Sequence, residues 1–171
     1  MRARDGFPTY GELNPAATLN LFEALELGPE DRLADLGSGA GKVALAAALC
    51  SPVQLALGIE LSGERHAMAL QALRRAEALD PSITTRCRLR CGDMLRARLE
   101  DATVVYTCST AFDTPTLRRV ADRVARLPRL RCFASFRDLD PHPRLAPAGH
   151  LRLDVSWTRR AKLHLYAPRP R

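Results

Sequence analysis

The most constraining stretch of this chain runs from Leu33-Ala34-Asp35-Leu36 through Gly37-Ser38-Gly39-Ala40-Gly41 into the Ala/Leu-rich segment Lys42 to Leu49. A short apolar run that closes on alternating glycines and passes at once into a helical pattern reads as strand, glycine turn, helix. A second apolar run, Gln54 to Ile59, ends in Glu60, and Ser62 then opens a helix to about Leu79 with apolar positions at Met68, Leu70 and Leu73. Two strands joined by a helical crossover pair in parallel, so this region commits the chain to a β-α-β unit.

The alternation continues downstream. Thr84 to Cys91 alternates and ends in Gly92-Asp93; Thr103 to Cys108 is a β-branched apolar run; Thr114-Pro115 starts a helix to Leu127; Leu130 to Phe136 reads as a further strand. Upstream, Asn14-Pro15 has the form of an N-cap with proline at the first helical position, and Leu19, Phe22, Leu25 and Leu27 predict a helix over about 15–27, ended by Gly28-Pro29. After a loop with Pro141, Pro143 and Pro147, two extended segments, about 150–158 and 162–167, are joined by Arg159-Arg160-Ala161. The expected fold is α/β: a Rossmann-like, seven-stranded, mostly parallel sheet with helices on both faces and a C-terminal antiparallel hairpin. At 171 residues the chain is expected to be one domain, with an N-terminal loop and helix (1–28), a core (29–136) and a C-terminal loop and hairpin (137–171).

Composition excludes several classes. No run approaches the roughly 20 apolar residues a membrane-spanning helix needs, and Met1 to Pro8 lacks the apolar core of a signal peptide, so a cytoplasmic protein without a membrane partner is expected. The five cysteines have no Cys-x-x-Cys spacing and read as reduced thiols; Cys87 and Cys91 share a strand face without further ligands at metal spacing, so no metal is expected. The net charge of +7 is almost wholly arginine, Lys42 and Lys162 being the lysines. Such a charge can steer toward nucleic acid, but the arginines spread along the whole chain, as a global coding bias would place them, and no nucleic-acid motif accompanies them.

Three acids mark the carboxyl ends of successive strands. In parallel sheets, ligands bind outside those ends, near the point where strand order reverses. Asp35 lies two residues ahead of Gly37, where it would repel a pyrophosphate, and the glycine spacing departs from the dinucleotide pattern. S-adenosylmethionine (SAM) suits the turn better, because it carries no phosphate and has an ammonium that Asp35 can pair with. Gly37 and Gly39 allow close backbone approach. Glu60 can accept from both ribose hydroxyls, and Asp93 from the adenine amine, with Met94 packed on the ring.

In these residues the chain resembles the class I SAM-dependent methyltransferases, and within them the catalytic core of the Dot-one (disruptor of telomeric silencing) protein lysine methyltransferases, which lack a SET domain. Tyr10-Gly11-Glu12 is similar to that family's loop over SAM, Asp35-Leu36-Gly37-Ser38-Gly39 to its glycine motif, Gly58-Ile59-Glu60 to its ribose strand and Gly92-Asp93 to its adenine motif. Ala111-Phe112 is similar to the end of its catalytic loop, and Val155-Ser156-Trp157-Thr158 to a C-terminal strand signature. The resemblance implies that Tyr10, Glu12, Asp35, Gly37, Gly39, Glu60, Asp93 and Met94 hold SAM, and that residues 1–28 include a loop covering it. It also marks departures: Cys108-Ser109-Thr110 stands where the family has asparagines, and His164, with Tyr166 two residues on, stands where an aromatic lines the lysine channel.

The implied activity is N-methylation of a lysine or other amine on a protein. Methyl transfer from a sulfonium asks mainly for alignment, but a lysine must first lose a proton, at a cost of roughly 4 kcal/mol at neutral pH that an apolar channel lowers. Ser109, Phe112, His164 and Tyr166, with Trp157, are candidates for that acceptor channel, His164 also for assisting proton removal. Two other readings stay open: methylation of a small molecule, and a basic, non-catalytic SAM-binding adaptor. The lack of an Asn/Asp-Pro-Pro-Tyr/Phe motif counts against nucleic-acid base amines.

Overall fold

The computed structural model describes residues 13–99, 101–156 and 158–170. Helix α1 (Pro15–Ala24) starts where expected: the Asn14 side chain accepts from the Ala17 amide at 2.8 Å and Pro15 occupies the first turn. It ends earlier than the Leu25–Leu27 spacing predicts. Glu26 takes φ +48°, and Leu25 and Leu27 are buried from a turn rather than a helix. The Leu25 carbonyl left over at the helix end is satisfied by the Arg131 guanidinium at 2.7 Å.

Strand β1 (Arg32–Leu36), helix α2 (Lys42–Cys50), strand β2 (Leu55–Glu60) and helix α3 (Gly63–Leu79), capped by Ser62, form the anticipated β-α-β unit. Residues 84–86 are a correction: they belong to a single helical turn, α4 (Ile83–Arg86), and β3 is only Cys87–Cys91. The Thr84 and Thr85 hydroxyls donate back to the Pro81 and Ser82 carbonyls at 3.1 and 2.8 Å, a local bonding that competes with strand formation and overrides the β-branched composition. Along β3, Cys87 is buried while Cys91 is exposed. Strand β4 (Val104–Thr107) leads through a 3₁₀ turn (Ser109–Ala111) to helix α5 (Thr114–Val124), capped by Asp113 through the Thr116 amide at 2.8 Å, and then to β5 (Cys132–Ser135).

The two C-terminal strands are longer than expected, β6 (Leu145–Val155) and β7 (Thr158–Pro168). Pro147, expected in a loop, lies within β6. That strand is the sheet edge, where proline's missing N–H costs little, and a register shift with Gly149 at φ +123° adjusts the pairing beside it. The reversal also falls before Thr158 instead of at Arg159-Arg160-Ala161, with the Asp154 carboxylate accepting from the Arg160 amide across it at 2.8 Å.

All seven strands join one sheet in the order β3-β2-β1-β4-β5-β7-β6. The pairs among β1 to β5 are parallel; β7 runs antiparallel to β5 and β6 to β7. The expected Rossmann-like, mostly parallel sheet with a C-terminal hairpin is the observed one. One apolar layer packs α1 and α2 against Leu33, Ala56, Val104 and Leu163, and the other packs α5 against Leu36, Ile59, Val105 and Phe133. At the amino end of β1, opposite the glycine turn, Asp31 sits in a polar clamp: Arg131 donates to both carboxylate oxygens at 2.8 and 2.7 Å, Thr103 Oγ1 to Oδ1 at 2.6 Å and the Gly28 amide to Oδ2 at 2.8 Å. Burial opposes ionisation there, but these bonds outweigh it and hold the Asp31 carboxyl down at about 2. No helix among the described residues is long and apolar enough to cross a membrane.

Candidate active site

Strand order reverses between β1 and β4, so the carboxyl ends of β1, β2 and β4 border the crevice that this topology offers a ligand. The sequence folds tightly there. Gly37, Gly39 and Gly41 take φ of +78°, +55° and +76°, left-handed values that would strain any other residue. The Gly37 and Ser38 amides donate to the Ile59 carbonyl at 2.9 and 3.0 Å, pinning the turn against the end of β2. The Phe112 ring lies over it: a Cβ at Gly37 would stand 3.4 Å from Phe112 Cζ.

Asp35 is 2% exposed at the tip of β1. Burial, followed by repulsion from Glu60, pushes its carboxyl up to about 7. Its register partner on β4, Tyr106, and Cys108 just beyond are neighbours in the same pocket of field; burial is the main push on both groups, and Asp35 adds to it, with the Cys108 thiol reaching about 11. Such a carboxyl is primed for a cation: an incoming ammonium supplies the counter-charge that the site withholds.

Glu60 is 3% exposed and fully engaged. Oε2 accepts from the Gly39 amide at 2.9 Å, while Oε1 accepts from the Ser62 amide at 2.8 Å and from Arg65 Nε and Nη2 at 3.1 and 2.7 Å. Burial works against its charge, but the Arg65 and backbone hydrogen bonds prevail and hold it below the usual carboxylate range. Two acids on adjacent strands are thus kept in opposite states, one poised near neutrality and one firmly ionised. The Gly92 amide donates to the Glu60 carbonyl at 2.9 Å, which brings Asp93 to the same edge. Asp93 Oδ1 accepts from the Leu95 amide at 2.8 Å, and Met94 packs partly buried beside the α5-side core.

The fold therefore gathers Asp35, Gly37, Gly39, Glu60, Asp93, Met94 and Phe112 around one edge, and these residues fit SAM: glycine cradle, buried cation-seeking acid, ionised hydroxyl acceptor. Tyr10, Glu12 and Trp157 lie outside the described residues. Leu13 bridges to Val155, so the segment that follows Glu12 meets the tip of the β6-β7 hairpin.

The remaining predicted residues sit elsewhere. Ser109 is 0% exposed and acts as a strut: its Oγ lies 2.7 Å from Ser135 Oγ and accepts from the Arg137 amide at 2.9 Å. Its hydroxyl ties the loop after β4 to the end of β5 instead of lining a channel. Arg137 also donates to the Phe112 carbonyl and to Thr114 Oγ1, fixing the loop that carries Phe112. His164 and Tyr166 stand on β7, separated from β1 by β4 and β5. Tyr166 OH donates to Asp138 Oδ1 at 2.5 Å and accepts from the Leu139 amide at 2.8 Å, and His164 Nδ1 lies 3.2 Å from the same Asp138 oxygen. With Lys162, His150 and Pro147 these residues line a cavity of about 220 Å³. Sequence reasoning missed Arg65, Thr107, Ser135, Arg137 and Asp138. The hydroxyls at the ends of β4 and β5 were a usable signal, since a polar residue closing an apolar strand has to be satisfied at its tip; Thr107 Oγ1 indeed donates to the Leu36 carbonyl at 2.8 Å.

Residues 6–135 match the family described as Histone methylation protein DOT1. The chain belongs to the DOT1 family. Its sequence is also 41% identical over 54 residues to the Histone-lysine N-methyltransferase, H3 lysine-79 specific, of Caenorhabditis elegans, a match covering 32% of this chain and 6% of that protein's length. Among solved structures, an RNA methyltransferase from Salinibacter ruber in complex with S-adenosyl-L-homocysteine superimposes with a TM-score of 0.71 at 19% identity, over 94% of this chain and 95% of the other. A putative tRNA (m1A22) methyltransferase of Streptococcus pneumoniae gives 0.68 at 10% identity, over 92% and 71%. The fold of this DOT1 family chain is that of the class I methyltransferases, whose methyl donor is SAM.

Proposed function

We propose that this chain transfers the methyl group of SAM to an amine of a protein, a lysine side chain, and that Tyr10, Glu12, Asp35, Gly37, Gly39, Glu60, Asp93 and Met94 hold the donor. The observation that carries the reading is the convergence of Asp35 and Glu60, in opposite electrostatic states, on a left-handed glycine turn beneath Phe112. SAM, when bound, supplies a methyl group on a sulfonium that is already activated.

What remains for the protein is recognition, alignment and control of one proton. Asp35 would pair with the donor's ammonium and give up its own proton in doing so. Glu60 would accept the ribose hydroxyls while Arg65 and the Gly39 amide hold its carboxylate in place, and Asp93 would accept from the adenine amine. Phe112 would cover the glycine turn and keep water from the transfer point. On the acceptor side, the lysine ammonium has to shed a proton; the aromatic and imidazole groups of the β7 cavity, Tyr166 and His164 on Asp138, supply a desolvating wall and a proton-accepting ring, with Trp157 a further candidate wall. The sequence match to a histone lysine methyltransferase supports a protein acceptor. Five free cysteines support a reducing compartment, in line with a cytoplasmic location.

The experiment uses the full chain with tritiated SAM and a cell extract, followed by mass spectrometry of labelled bands. Methyl groups on lysine support the reading. Label confined to small metabolites would favour the small-molecule alternative, and tight SAM binding without transfer would favour a non-catalytic adaptor.

A further inference from the structure

The excess of arginine has a location in the tertiary structure. Arg119 and Arg123 stand at i and i+4 on α5, and Arg126 follows in the turn just beyond its end. Together with Leu95, Leu127 and Asp122 they line a cleft of about 380 Å³. Its carboxylate is already engaged. Asp122 Oδ1 lies 3.0 Å from His142 Nε2 and 3.4 Å from Arg118 Nε, and because His142 Nδ1 accepts from the Arg144 and Leu145 amides, the proton on Nε2 points to Asp122.

Arg123 is held by carbonyls. Its Nη1 donates to Leu95 O at 2.7 Å and its Nη2 to Ala97 O, while its Nε is buried without a partner. Carbonyls fix the guanidinium without neutralising it. Arg90 on the edge strand β3 donates to Arg98 O at 3.3 Å, and in the same loop Arg96 Nε lies 3.8 Å from Asp93 Oδ2, so the loop reaches the cleft through Leu95. Among the described residues no carboxylate pairs with Arg119, Arg123 or Arg126. The result is a positive field on the α5 face, in a cleft lined by Leu95 next to the loop that carries Asp93 and Met94.

We infer that this cleft docks the phosphodiester backbone of a double-helical nucleic acid. Guanidinium forks match phosphate oxygens in pairs; the exposed Arg119 and Arg126 supply two such forks, and Arg123, its own fork held by carbonyls, adds its charge between them. The cleft contains no aromatic side chain on which unpaired bases would stack, which favours a duplex over a single strand. A lipid surface would call for adjacent exposed apolar groups, whereas among the described residues the exposed large ones, Leu19, Leu49, Leu61, Met68 and Leu79, belong to α1, α2, α3 and the bend between β2 and α3. The contact reads charge and shape, not base edges. It is separate from the identity of the methyl acceptor and stands or falls apart from it.

The test is fluorescence anisotropy of the full-length protein with labelled 20-base-pair DNA and RNA duplexes between about 50 and 200 mM salt, where backbone contacts lose affinity steeply. Single strands of the same length, polyglutamate and phosphatidylserine vesicles serve as competitors. The double variant R119E/R126E changes exposed side chains and is checked for fold by SAM binding and circular dichroism; R152E/R159E, on the hairpin, is the charge-matched control. Loss of affinity by roughly tenfold or more and a salt slope shallower by about two for R119E/R126E, with the hairpin variant close to wild type, supports the inference. Equal losses in both variants, no duplex binding, or competition by single strands, polyglutamate or vesicles as effective as by duplex would overturn it.

Discussion

The Phe112 ring rests on the backbone of Gly37, so close that a methyl group at residue 37 would stand 3.4 Å from its Cζ. This contact joins the loop after β4 to the glycine turn after β1, across the point where strand order reverses. Gly37→Ala would force a side chain into φ +78°, a strain on the order of 1–2 kcal/mol, and would press on Phe112 as well. The expected outcome is a melting temperature several degrees lower and SAM affinity reduced roughly tenfold or more by calorimetry. Phe112→Ala keeps the turn and should lower kcat more than it raises the Kd for SAM.

Asp35 makes cofactor binding depend on pH. With its carboxyl near 7 in the free protein, an ammonium ligand must displace its proton, so SAM affinity should rise as pH increases from about 6 to 8, with proton release measurable by calorimetry in buffers of different ionisation enthalpy. The stability effect has the opposite sign. A native carboxyl raised from 3.8 to about 7 binds a proton that the unfolded chain has lost, and stability therefore falls as pH rises through that window, by at most about 4 kcal/mol. Asp35→Asn should melt higher than wild type at pH 8, melt near wild type at pH 4, and bind SAM poorly at both. An Asn variant that binds SAM like wild type would remove Asp35 from the site.

Glu60→Gln keeps the shape of the side chain but discards its charge. A hydrogen-bond acceptor that is ionised contributes about 1.5–3 kcal/mol, so affinity for SAM should drop by roughly ten- to a hundredfold. Arg65 should also become more mobile, which a change in its side-chain NMR signals would report.

The Asp31 clamp predicts an acid-labile fold. Its carboxyl is held at about 2, so its stabilising contribution, about 2 kcal/mol, is complete above pH 4 and is lost as pH falls toward 2. Asp31→Asn should lose a comparable amount at pH 7 in urea unfolding while leaving the Kd for SAM unchanged, because the clamp lies at the amino end of β1, away from the glycine turn at its carboxyl end.

On the acceptor side, Tyr166→Phe strips the Leu139 amide of its acceptor and Asp138 of its donor, a loss of about 1–2 kcal/mol in stability. His164→Ala leaves those bonds in place. If the β7 cavity receives the amine, His164→Ala should lower kcat and shift its pH profile without altering SAM affinity; an unchanged profile would assign His164 a structural role.

Local patterns were enough for much of this protein. The glycines of the turn, the helix starts at Asn14, Ser62 and Thr114-Pro115, and the acids closing β1, β2 and β3 all act within a few residues of where they stand, so short-range periodicity and capping chemistry revealed the alternating elements and the cofactor edge. Other features depended on partners distant in the chain. Pro147 entered a strand because that strand proved to be the sheet edge, whereas the helical turn at Thr84 and Thr85 is a local exception, their hydroxyls captured by carbonyls three residues back. Ser109 became a buried strut because Ser135 and Arg137, more than twenty residues away, converge on it. The near-neutral carboxyl of Asp35 came from burial and from Glu60 on the next strand, and the arginines of α5 and the turn after it came to line a cleft only when the loop at Leu95 to Ala97 bonded to Arg123. Propensity and period are properties of adjacent residues, whereas desolvation and charge placement belong to whatever the fold brings together.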